Sequence, residues 1–127
     1  MVPLFEEINR FKPRCKKDLQ DAIDLFFKDK IIAIYRYGHI SSWNTKYITD
    51  MSMLFYRQIF FNDNISYWDT SNVVNMRSMF EKTSKFNQPI KFTSTSKVTD
   101  MYCMFHDSDS FNQPLNFDTI KVTNMKA

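Results

Sequence analysis

Hydrophobic positions along this chain follow two rhythms. Up to residue 39, Leu19, Ala22, Ile23, Phe26 and Phe27 return at the interval of one helix face, while Lys17, Asp21, Asp24 and Lys28 occupy the other. This predicts a helix over about 18–28, and the short apolar run from Ile31 to Tyr37 predicts a strand over about 31–37. So short a helix is marginal in water unless it docks. Residues 1–39 are therefore expected to form an N-terminal cap.

From residue 40 onward the rhythm changes to a long repeat. Met51, Met76, Met101 and Met125 are spaced 25, 25 and 24 residues apart, and Phe55, Phe80 and Phe105 keep the same step. Phe61-Asn-Asp-Asn-Ile65, Phe86-Asn-Gln-Pro-Ile90 and Phe111-Asn-Gln-Pro-Leu115 follow it, as do Thr45, Thr70, Thr95 and Thr119. The units are 40–64, 65–89, 90–114 and a partial 115–127. A step of this size lies in the leucine-rich-repeat range of about 20–29 residues and is too short for helical repeats or a propeller blade. Trp68-Asp69 is thus no propeller signature.

Within a unit, Val73, Met76, Met79 and Phe80, then Val98, Met101, Met104 and Phe105, have helical or turn-like spacing, predicting short helices around 76–83 and 101–107. Residues 86–92 and 111–117 are extended in character and predict short parallel strands, weakened by Pro89 and Pro114. The predicted fold class is α/β: a leucine-rich-repeat-like solenoid of about 3.5 coils, each with a short helix and short parallel strands, behind an N-terminal capping helix. Asn62, Asn87 and Asn112 would stack into a polar ladder. The C-terminal end is expected to be uncapped.

Composition narrows the classes. One Gly in 127 residues leaves almost nothing for a phosphate-cradling loop. The abundance of Phe, Lys, Ile, Asn and Met points to A/T-rich codons. A formal charge of +3 and 43% hydrophobic residues suit a folded domain. No apolar run approaches a membrane span. Glu6, Glu7, Arg10, Lys12, Arg14, Lys16 and Lys17 interrupt any apolar core of an export signal. Cys15 and Cys103 are too few for a disulfide framework. An intracellular, non-secreted protein with free thiols is expected.

Trp68-Asp-Thr-Ser-Asn-Val-Val-Asn-Met76-Arg-Ser-Met-Phe80, followed by Phe86-Asn-Gln-Pro-Ile90, resembles the repeat of BspA-like surface proteins of mycoplasmas, other bacteria and large DNA viruses of protists. The resemblance covers about residues 31–127 and implies a leucine-rich-repeat-like solenoid without catalysis, engaged in adhesion or partner binding. Thr93 departs from it, standing where Trp43 and Trp68 lead one to expect Trp. The missing export signal departs from the bacterial surface members. With the A/T-rich composition, it fits a giant-virus paralogue.

Chemistry candidates read as repeat variation. Cys103 and His106 are spaced to share a helical face as nucleophile and base, but Cys103 aligns with Met53 and Ser78, and His106 with Tyr56 and Glu81. With His39 the only other histidine, no zinc spacing exists. Asp107-Ser-Asp109-Ser opens like a calcium loop, but Phe111 occupies a ligand position. The basic run from Arg10 to Lys17 reads as a solvated lead-in to the helix, flanked by Glu6, Glu7, Asp18 and Asp21. No enzyme, catalytic residue, metal, cofactor or small-molecule substrate is expected, and neither nucleic acid nor membrane is an expected partner.

The leading expectation is a non-enzymatic protein-interaction module that binds an unknown protein through an exposed face carrying Asp63, Ser66, Gln88, Lys91, Gln113 and Asn116. Its rival is a structural subunit that self-associates end to end through the last coil at Val122 and Met125. A third reading is a truncated paralogue without selected function.

Overall fold

The computed structural model describes residues 10–126, with the backbone alone for 124–126. Glu6 and Glu7 lie outside the described residues. Helix α1 spans Lys16–Lys28 and buries Leu19, Ala22, Ile23 and Phe26. Its solvent side carries a Lys17–Asp21 ion pair at 3.0 Å, an exposed pair that adds little stability. The helix stops at Asp29, whose extended backbone breaks the ladder and whose side chain accepts the Ile32 N–H at 3.1 Å. That cap starts helix α2, Lys30–Tyr37.

The expected strand over 31–37 is corrected by α2. A short apolar run cannot separate strand from helix by periodicity alone, and the ends decide the matter here. Asp29 caps the start, and Gly38 closes the end at φ 78, a left-handed conformation that favours glycine.

The predicted α/β leucine-rich-repeat-like solenoid is also overturned. Among the described residues, the α-helices are confined to residues 16–37, and the strands β1, Asp100–Tyr102, and β2, Asn124–Lys126, form a single short parallel pair. The expected helix at 76–83 is a chain of turns instead, and that at 101–107 is the end of β1 followed by turns. Ser78 and Lys82 have φ of 54° and 62°, and Cys103 and Asp107 repeat the pattern at 53° and 57°. Left-handed residues cannot propagate a right-handed helix. The expected strands at 86–92 and 111–117 are irregular.

Backbone hydrogen bonds explain this path. The N–H groups of Leu54, Tyr56 and Gln58 close turns onto Met51, Met53 and Phe55 within their own repeat. Between them, the N–H groups of Met51, Met53, Phe55 and Arg57 donate to Asn75, Arg77, Met79 and Glu81 in the next repeat at 2.8–3.0 Å. The same alternation links Met76, Ser78, Phe80 and Lys82 to Asp100, Tyr102, Met104 and His106. Along the opposite stretch, side chains complete the links. The N–H of Asn87 donates to Asn62 Oδ1, and that of Asn112 to Asn87 Oδ1, each at 2.9 Å.

Side chains one repeat apart lie in register. Phe55, Phe80 and Phe105 stack at centroid separations of 5.6 and 5.4 Å, and Phe61, Phe86 and Phe111 at 5.2 and 5.8 Å. Trp43 and Trp68 stack at 6.3 Å, their indole nitrogens donating to the carbonyls of Gly38 and Ile40. Where a third Trp would follow, the Thr93 hydroxyl accepts the Thr70 N–H and donates to Asp69, while Phe92 stacks on Phe117. Thr45 and Thr70 hydroxyls donate to main-chain oxygens of Asp69 and Ser94, satisfying buried polar groups. Phe27 of α1 meets the top of both Phe columns edge-on, 6.3 Å from Phe55 and 5.6 Å from Phe61.

Candidate interaction surface

The six residues expected to line one binding face do not share one role. Ser66 is only 4% exposed. Its hydroxyl donates to the Pro89 carbonyl, so its place on an exposed face is corrected. The simple in-out alternation fails because the chain turns after Ile65, and Ile65 and Ser66 are both buried. Asp63 is engaged by Lys30 Nζ at 3.3 Å and lies 3.9 Å from His39 Nε2. Gln88 and Gln113 donate to the carbonyls of Asn62 and Asn87 at 3.1 and 3.2 Å, which commits them to the ladder between repeats. Lys91 and Asn116 are exposed.

At the other expected edge, Val122 packs partly buried against the core, and the backbone of Met125 pairs with Met101. Cys103 is buried, whereas the ring of exposed His106 lies 3.5 Å from the Asp107 carboxylate.

A different surface presents large apolar side chains. In α2 only Ala33 is buried, leaving Ile31 82% and Tyr35 93% exposed. Phe60 is 84% exposed because, of the triplet Ile59-Phe60-Phe61, Phe61 takes the core position. Phe60 forms one wall of a cleft of about 520 Å³ between the end of α1 and the first repeat. Phe26, Phe27 and Phe61 contribute apolar wall, and Lys30, Arg57 and Asp63 contribute charge. Lys30 is also the first residue of α2, which places that helix beside the cleft. A sequence signal for this surface existed in the two dense apolar runs, which carry more hydrophobic side chains than one buried face can accept.

Two carboxyls fix local turns of the backbone, and one of them, Asp69, also meets the Thr93 hydroxyl of the next repeat. Burial alone would raise the pKa of Asp50, but hydrogen bonds from the Ser52 N–H and hydroxyl and the Lys16 ammonium outweigh it and hold the carboxyl below its usual range. Asp69 is likewise held low against burial by Ser71 and Thr93, with a further contribution from the charge of Lys46.

The model of the family described as "Mycoplasma protein of unknown function, DUF285" matches residues 21–127. The chain belongs to this DUF285 family. The match begins inside α1 and takes in α2 and the repeats, so the DUF285 region includes both the apolar cleft and the stacked Phe columns. No curated protein and no solved structure matches the chain. The family description refers to Mycoplasma and brings no support for a giant-virus origin.

Proposed function

We propose that this DUF285 chain is a non-enzymatic protein-interaction module of the BspA-like kind, binding a partner through the apolar surface of α2 and the adjoining cleft. The observation that carries this reading is the exposure of Phe60, more than four-fifths open to solvent on a wall of the cleft, together with Ile31 and Tyr35, equally open and four residues apart on the helix that begins at the cleft residue Lys30. Exposed apolar clusters of this kind mark contact surfaces. Leaving Phe and Tyr in water forgoes the burial energy that the rest of the chain exploits, and a partner that covers them recovers it.

The test is site-specific photocrosslinking in an extract of the source cells. A crosslinking residue at position 60 or 35 should yield a discrete adduct that excess unmodified chain competes away, while one at the exposed Pro89 should not. The purified partner should then lose affinity for Phe60→Ser. Adducts formed equally from all three positions, or from none, would sink the reading.

A further inference from the structure

We propose that Lys12, Arg14 and Lys46, gathered around the ring of Tyr47, form a binding site for a phosphomonoester dianion borne on a side chain of a partner protein. The ligand's being part of a protein rests on the interaction reading above; the anion site itself does not.

Lys12 Nζ, the Arg14 guanidinium and Lys46 Nζ lie 5.9, 5.8 and 5.7 Å from the Tyr47 centroid. They come from two segments distant in sequence that the backbone holds together. The Asn44 N–H donates to the Phe11 carbonyl at 2.9 Å, and Arg10 Nε donates to the Ser42 carbonyl at 2.7 Å. The turn carrying Lys46 and Tyr47 is itself closed, with the Lys46 N–H on Asn44 Oδ1 and the Ile48 N–H on the Thr45 carbonyl. Tyr47 remains 43% exposed, so the cluster opens to solvent.

Three like charges around one ring repel one another, and the ring's quadrupole offsets only part of that repulsion. Among the described residues, none of the three makes an ion pair with a carboxylate, whereas Lys16, Lys17, Lys30 and Arg77 each do. Neighbouring acids are engaged. Asp18 accepts the Arg14 N–H at 3.3 Å, and Asp69 holds Ser71 and Thr93.

The excess positive charge is a spot and not a row, with Lys46 offset in part by the charge of Asp69 and the adjoining Lys16 and Lys17 tied to Asp50 and Asp21. A polynucleotide would ask for cations spaced along its phosphates. A compact anion fits better. A phosphomonoester carries roughly −1.5 to −2 charge at neutral pH and three acceptor oxygens, enough to meet three separate donors. The guanidinium fork of Arg14 can take two of those oxygens.

The test is an NMR titration of the full chain with Ala-Ala-phosphoserine-Ala-Ala, the same peptide with serine, inorganic phosphate, oligodeoxythymidylate and phosphatidylserine vesicles. Phosphopeptide and inorganic phosphate should shift the amides of Lys46, Tyr47 and Ile48, and the serine peptide should not. Combined Lys12→Gln, Arg14→Gln and Lys46→Gln should weaken phosphopeptide binding at least about tenfold without lowering the melting temperature of the chain. No shift at about 10 mM phosphopeptide, far weaker than any functional affinity, or equal binding by the triple variant, would overturn the site. Tighter binding of the oligonucleotide or the vesicles through the same amides would overturn the protein source. If crosslinking from position 60 fails while phosphopeptide binding persists, the cleft reading falls and the anion site stands.

Discussion

Gln20 on α1 reaches the first repeat, its Nε2 donating to the main-chain oxygen of Leu54 at 3.3 Å. The contact follows from the direction of the hydrogen bonds between repeats. On this side each repeat sends its N–H groups to the next, as Phe55 does to Met79, so the first repeat turns carbonyls toward α1. A cap there must offer donors, and α1 offers Gln20 together with Lys16, whose Nζ donates to the Ser52 hydroxyl at 2.6 Å. Gln20→Met should therefore cost about 1 kcal/mol in a urea melt, the net worth of one hydrogen bond, and Gln20→Glu should cost more because it sets a carboxylate against a carbonyl. Equal stability of the two variants would contradict a donor role for this side chain.

The Phe columns set a second expectation. Phe80 is wholly buried between Phe55 and Phe105 and also stacks on Phe86 at 4.6 Å. Phe80→Ala should cost about 3–5 kcal/mol, and Phe105→Ala, half-buried at the next level, should cost less. A chemical melt unchanged by Phe80→Ala would contradict the stacked core.

The left-handed residues give a prediction with opposite signs at one position. Arg57 is exposed with φ 64, and its N–H donates to Glu81. Arg57→Gly removes backbone strain while keeping that donor, and should raise stability by up to about 1 kcal/mol after the entropy of glycine in the unfolded chain is set against the gain. Arg57→Pro should cost about 3 kcal/mol or more, since proline has neither the φ nor the N–H. Thermal melts of the two variants decide the point.

Acid should weaken the fold partly through Asp50 and Asp69. Both carboxyls sit below their usual range in the folded chain. Their contribution is therefore present above the ordinary aspartate pKa of about 3.9 and lost as pH falls through the lower folded values. Asp50→Asn keeps an acceptor for the Ser52 N–H, as Asn75 does for the Arg77 N–H at 2.8 Å, but cannot titrate. The stability gap between the parent and Asp50→Asn should narrow as pH falls below about 4. A gap that stays constant over that range would show that Asp50 does not titrate at a lowered pKa.

The 25-residue register, the inward Phe and Met positions and the apolar stripe of α1 are all legible in the order of the residues. Hydrophobicity at a fixed spacing marks these positions for burial. It left three things unsettled, each for a nonlocal reason. The stretches 76–83 and 101–107 have a spacing that helices and chained turns share, and the outcome depended on where alternate N–H groups find acceptors, which lie one repeat away. Residues 31–37 are apolar enough for a strand, yet the caps at Asp29 and Gly38 and a neighbour that buries only Ala33 made them a helix with Ile31 and Tyr35 outside. Ser66 looked exposed by alternation, yet the Pro89 carbonyl at the far end of its own repeat drew it inward.

The repeat period and the Phe and Met positions that recur with it were thus determined by sequence, because they follow from hydrophobicity and spacing. The backbone path within each repeat, the exposed apolar surface beside α2 and the gathering of three cations on Tyr47 were decided only by tertiary structure, because each depends on partners far along the chain.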